Sequence, residues 1–150
     1  MDNLYDALPV LAQYNLAFMI LAALCLATIT QSLLCVPLAF ATKEQSPGMP
    51  LRLDYRALSF RAMRTYQNFV ETLPAFGFAL LTAIIVGVIP FWVNLLAGIY
   101  FVFRLLFWAI YYSGIGKTVS GPRSIVYAGA NLANVTLAGM MILAAVQYSI

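Results

Sequence analysis

Four long apolar runs, broken by short polar segments, set the pattern of the chain, and that spacing predicts four helices. No formally charged side chain falls within residues 7–42, 72–103 or 124–150. A bilayer crossing needs about 20 apolar residues, and each run is longer. The first helix is expected over about 10–38, ending near Pro37. The polar connection ATKEQSPGMPLRLDYR follows, with Pro47, Gly48 and Pro50 as breakers. A second helix is expected over about 58–85 and a third over about 91–112, with Gly87 and Pro90 marking the turn between them. The segment SGIGKTVSGP reads as a loop. Pro122 suits the first position of a fourth helix over about 122–148, with Ser120 a candidate cap before it. The expected fold is an all-α integral membrane protein, a single domain over residues 1–150 built as an antiparallel four-transmembrane-helix bundle.

Composition sharpens the class. Of 150 residues, 63% are apolar and 9% charged, against roughly 45–50% and 25% in ordinary soluble domains. These values exclude an ordinary water-soluble domain and a disordered chain. The runs are continuous rather than alternating in segments of about ten residues, which excludes a transmembrane barrel. The acidic start MDNLYD lacks the basic region of a signal peptide, so the first apolar run is expected to be retained as a span. The two cysteines, Cys25 and Cys35, are too far apart along one helix to pair and read as small buried hydrophobes. Histidine is absent, so no histidine-based metal site is expected. No basic groove interleaved with aromatics is visible, so nucleic acid is not an expected partner.

Charge also orients the chain. The first and third loops hold Lys43, Arg52, Arg56, Lys117 and Arg123, with Arg61 and Arg64 just inside the second helix. The opposite side carries Asp2 and Asp6 and no basic residue. The positive-inside rule places both loops in the cytoplasm and both termini on the other side. Tyr5, Phe91, Trp92, Tyr111, Tyr112 and Tyr148 lie near helix ends and read mostly as an interfacial belt. Ala128, Ala130, Ala133, Gly139 and Ala145 give the fourth helix small positions for close helix contact.

The chemistry concentrates in FRAMRTYQNFVETLP. Arg61, Arg64, Asn68 and Glu71 are spaced three, four and three apart, which puts them on one helical face about 15 Å long. Charge in a span is costly and faces a bundle interior or polar cavity. Glu71 and Arg104 lie about 24 and 21 Å from the turn between their helices, hence at nearly the same depth. Neither charge is tolerable alone, so a buried Glu71–Arg104 pair is expected. Tyr100, Arg104 and Tyr111 share a face of the third helix, with Tyr100 either touching Arg104 or simply packing. Arg123, Ser124 and Tyr127 stand at the mouth of the fourth helix, whose N-terminal amides favour an anion. These pieces fit a cytoplasm-facing pocket for a small anion with carboxylates, held by Arg contacts, with an apolar second substrate arriving from the bilayer. They also fit a buried polar network that fixes the fold or joins subunits. Arg61 and Lys117 fit plain surface charge equally well.

At these residues the sequence resembles the MAPEG family, the membrane-associated proteins in eicosanoid and glutathione metabolism. The family motif on the second helix reads Arg-Ala-His-x-Asn-x-x-Glu; here it is Arg64-Thr65-Tyr66-Gln67-Asn68-Phe69-Val70-Glu71, with Thr65 and Tyr66 departing from it. Arg104 with Tyr111, and Arg123-Ser124-Ile125-Val126-Tyr127, match two further motifs. The resemblance implies a homotrimer with glutathione bound as co-substrate between protomers. It implies that Arg64, Asn68 and Glu71 hold the peptide or its amino group, and that Arg104 supports Glu71 and a carboxylate. Tyr111, Tyr127 and Asn131 would line the remaining cleft, and Arg123 or Ser124 would sit nearest the sulfur. The implied activity is that of a glutathione transferase or peroxidase. The thiol, with a free pKa near 8.5, is held as thiolate for attack on a lipophilic electrophile or hydroperoxide. Three alternatives remain open at this point: a non-catalytic scaffold or module that binds lipid or a small anion, a glutathione-dependent isomerase, and a small-molecule carrier, against which stand the lack of an internal repeat and of a broken helix at the midplane.

Overall fold

The computed structural model describes residues 8–42, 55–115 and 121–147. A 3-10 helix, Pro9–Tyr14, leads into α1 (Asn15–Thr42); α2 (Leu58–Ile85), α3 (Pro90–Ser113) and α4 (Pro122–Gln147) follow. All four long helices have the length and composition to cross a membrane. The protein is a multi-pass integral membrane protein, as four such spans require. Asp2, Tyr5, Asp6, Lys43, Arg52, Lys117, Ser120 and Tyr148, on which parts of the charge, cap and belt readings rest, lie outside the described residues.

Proline and glycine punctuate the spans. Pro9, Pro90 and Pro122 each stand in a first turn, where a missing amide costs nothing. Gly87, at φ 75°, turns the chain between α2 and α3, and Gly114, at φ 72°, closes the C-terminus of α3 in the left-handed conformation. Pro37 does not end α1, contrary to the expectation; the helix continues to Thr42. Pro37 sits on the exposed side, while Cys35 and Ala39 on either side of it are buried. One ladder bond is lost outward while the packed face stays continuous. The cysteine expectation holds for one of the two: Cys35 is buried, whereas Cys25 is exposed on this chain.

The core runs along the bundle. Tyr14, Ala17 and Leu24 pack with Phe69, Phe76 and Leu80, then with Val93, Tyr100, Ala130 and Leu137. Phe76 stacks on Tyr100 with centroids 3.9 Å apart and rings 1° from parallel. The ends are tied by polar contacts that apolar surroundings strengthen. The Tyr14 hydroxyl donates to the Val88 carbonyl at 2.6 Å. Asn94 accepts from the Ala17 amide at 3.0 Å and donates to the Gln13 carbonyl at 2.7 Å. Large apolar side chains such as Leu26, Ile29, Leu33, Phe78 and Ile85 face outward, as lipid contact demands.

α3 and α4 make the most extensive helix contact. At its centre Phe103 lies across Gly129, and a Cβ there would come within 2.7 Å of the ring. Gly129→Val is therefore expected to push the ring aside and destabilise the fold by about 1–3 kcal/mol. Thermal unfolding in detergent checks this, and a melting temperature equal to wild type would count against the close approach. The other small positions of α4 divide: Ala130 and Ala133 are buried, while Ala128 and Ala145 are exposed.

Candidate functional site

Three helices contribute to one cleft. Arg64, Asn68 and Glu71 come from α2, Phe107 and Tyr111 from α3, and Arg123, Ser124 and Tyr127 from α4. The cleft volume is about 310 Å³, within the range of small-molecule sites. Seven of these eight residues are ones the sequence reading singles out. Phe107, the eighth, was missed, although its position three residues after Arg104 and four before Tyr111 puts it on their face. Its ring is buried and packs against Tyr111 at 4.8 Å and Tyr127 at 6.3 Å. A second cleft of about 490 Å³ shares Arg64 and Glu71 and is lined also by Tyr66, Gln67 and Val70.

Local helix geometry explains the convergence. The 3-4-3 spacing on α2 aligns Arg64, Asn68 and Glu71. Within that row Arg64 donates to the Gln67 side-chain oxygen at 3.2 Å. On α4 the first turn supplies Arg123 and Ser124, and the next turn Tyr127. The Arg123 guanidinium lies 5.0 Å from the centre of the Tyr111 ring, in cation–π range. The charge balance is one-sided. Among the described residues five arginines stand against a single carboxylate side chain, Glu71.

Arg104 lies behind the lining. It is 1% exposed, and its guanidinium sits 4.1 Å from the Phe69 ring centre and 5.2 Å from that of Phe107. The expected direct pair with Glu71 is not formed. Arg104 instead donates to Asn68 Oδ1 at 2.6 Å, while Glu71 is exposed at the cleft. Asn68, one turn earlier on α2, reaches inward to the guanidinium, and the Phe69, Phe107 and more distant Tyr100 rings add cation–π stabilisation. One guanidinium nitrogen, Nη2, has no hydrogen-bond partner. Tyr100 does both: its ring stacks on Phe76 and its hydroxyl donates to Thr72 Oγ1 at 3.2 Å, while the Arg104 guanidinium lies 6.0 Å from its ring centre.

Two further residues take local roles. Asn131 donates to the Tyr127 carbonyl of its own helix at 2.9 Å and does not line the cleft. Arg61 is no free surface charge. It donates to the carbonyls of Tyr55, Arg56 and Tyr112. It thereby ties the entry of α2 to the exit of α3, beside the segment that carries Tyr111. Of the aromatics assigned to a membrane belt, Phe91 and Trp92 are exposed, whereas Tyr111 turns into the cleft.

The arrangement can hold an anion by arginine forks, place a hydroxyl beside it, and accept a cationic group at Glu71. No individually curated protein matches the chain. The profile of the MAPEG family matches residues 16–143, most of the 150-residue chain, with the cleft inside the matched span, and the protein therefore belongs to the MAPEG family.

Proposed function

We propose that this protein is a glutathione-dependent membrane transferase or peroxidase. Family membership is consistent with a glutathione-related membrane enzyme in general. The observation that carries the finer reading is the cleft itself: Arg64 and Arg123, Glu71, and the Ser124 and Tyr hydroxyls converge between lipid-exposed helices. A tripeptide with two carboxylates, one ammonium and a thiol complements that set. Arg64, Asn68 and Glu71 hold the peptide, with Tyr111 and Tyr127 along its side and Asn131 one turn beyond. Arg104 supports this row from behind. Arg123 or Ser124 stands at the sulfur. The positive charge of Arg123, the α4 N-terminus and a Ser124 hydroxyl bond favour the thiolate.

The thiolate then has two courses. With an electrophilic carbon it forms a C–S bond as the leaving group departs with the electron pair. With a lipid hydroperoxide it takes the terminal oxygen, the O–O bond breaks, and the alkoxide is protonated to the alcohol. The resulting sulfenic acid condenses with a second glutathione, giving the disulfide and water. The lipophilic partner reaches the site from the bilayer.

The same reading covers assembly and placement. The chain is one four-helix membrane domain whose neighbours run antiparallel: contacts at Asn68–Arg104 and Thr72–Tyr100 advance along α2 as they retreat along α3. It assembles as a homotrimer, which would cover the exposed Glu71 within the span. Loops one and three are cytoplasmic and both termini lie opposite.

Glutathione titration of the purified protein in detergent tests the reading, with thiolate absorbance followed in the ultraviolet. A saturable, stoichiometric signal is expected. Absence of any signal from intact protein would remove the glutathione-enzyme reading. Saturable binding without thiolate or product would favour a ligand-holding scaffold.

A further inference from the structure

Arginine carries hydrogen-bond donors and no acceptor. The Asn68 atom 2.6 Å from the Arg104 guanidinium is therefore the amide oxygen. The amide is planar, so Nδ2 lies on the side away from that oxygen's partner. Asn68 also lines the cleft, with Arg104 buried behind it. Nδ2 has no hydrogen-bond partner among the described residues. Packing against Phe69 and Phe107 holds the guanidinium itself in place.

We propose that Arg104 is a positioning residue that locks the Asn68 amide with Nδ2 toward the cleft, so that Asn68 recognises an acceptor oxygen, carboxylate or carbonyl, and never an ammonium. The inference rests on the glutathione reading for its probe. It also divides labour along α2: Asn68 is a donor and Glu71, one turn on, is an acceptor. Without Arg104 the amide rotates freely about its last torsion and presents oxygen to oxygen in part of the population. A charge-assisted bond is strong enough to bias that choice by about tenfold or more.

Three substitutions in the full-length protein separate this role from plain support of the fold. Asn68→Asp keeps the acceptor for Arg104, now as an ion pair, but replaces the donor facing the cleft with a second oxygen. It is expected to melt at or above the wild-type temperature. Its KM for glutathione is expected to rise about tenfold or more, with kcat within about threefold. Arg104→Met frees the amide and is expected to raise the same KM, while Arg104→Lys, which keeps a donor, recovers most of it. Asn68→Asp or Arg104→Met with a glutathione KM within about twofold of wild type would overturn the lock. If wild type neither binds nor turns over glutathione, the glutathione reading fails on its own. The melting order then still decides the lock: Asn68→Asp at or above wild type supports it, and below wild type overturns it.

Discussion

Arg123→Ala is expected to turn over glutathione at about a hundredth of the wild-type rate while binding it within about threefold of wild type. The asymmetry follows from where Arg123 stands. It occupies the first turn of α4 and lines the cleft beside Ser124, with its guanidinium against the Tyr111 ring. In the proposed function Arg123 stands at the sulfur, where it raises the thiolate fraction and faces the charge that builds on the departing group, so its loss falls on turnover more than on the grip of the peptide. Arg64 stands on α2, in the row with Gln67 and Glu71, and in the proposed function it grips the peptide. Its replacement by alanine is expected to raise KM instead. Steady-state kinetics with a soluble electrophile, together with a thiolate titration of each variant, separate the two. Equal losses in kcat and affinity for Arg123→Ala would reduce it to a plain binding residue, and an unchanged kcat would remove its catalytic role. Arg123→Lys is expected to fall between, because the ammonium keeps charge but loses the planar face that stacks on Tyr111.

Asn94→Leu is expected to destabilise the protein by roughly 2–4 kcal/mol. The Asn94 side chain serves two backbone groups at once, accepting from Ala17 and donating to Gln13. Both belong to the junction where the 3-10 helix passes into α1, and helix starts leave amides without intrahelical partners. Leucine would leave the part-buried Ala17 amide without its acceptor and take the donor from the Gln13 carbonyl. Asn94→Asp keeps the acceptor for Ala17 and loses the donor to Gln13, so its loss is expected to be intermediate. Thermal unfolding of the three proteins in one detergent gives the order. A leucine variant melting with wild type would show that the junction finds other partners.

The cleft is largely legible in the sequence because helical periodicity is a strict rule. Residues three and four apart share a face, so Arg64, Asn68 and Glu71 had to align, as did Arg104, Phe107 and Tyr111. The same rule is silent about which side chain of one helix meets which of the next. Equal depth suggested Glu71 for Arg104, yet Asn68 made the contact. Depth fixes a layer to within about a turn, whereas a hydrogen bond requires placement within tenths of an ångström. The role of Arg61 was hidden for a related reason: its partners are main-chain carbonyls, which leave no mark in side-chain pattern. Asn94 was unreadable on the same ground, being one polar residue in an apolar run whose partners lie on another helix.

Hydrophobic run length and the positions of proline and glycine were enough to specify four membrane-spanning helices and the rows of polar residues upon them. Those are local properties, set by the cost of bare backbone in lipid and by a period of 3.6 residues. Tertiary packing alone decided that α1 continues past Pro37, that Glu71 faces the cleft rather than Arg104, and that the Asn68 amide faces its oxygen inward. Each of these turns on which neighbour comes within contact distance, and that is a property of helices packed together rather than of any one of them.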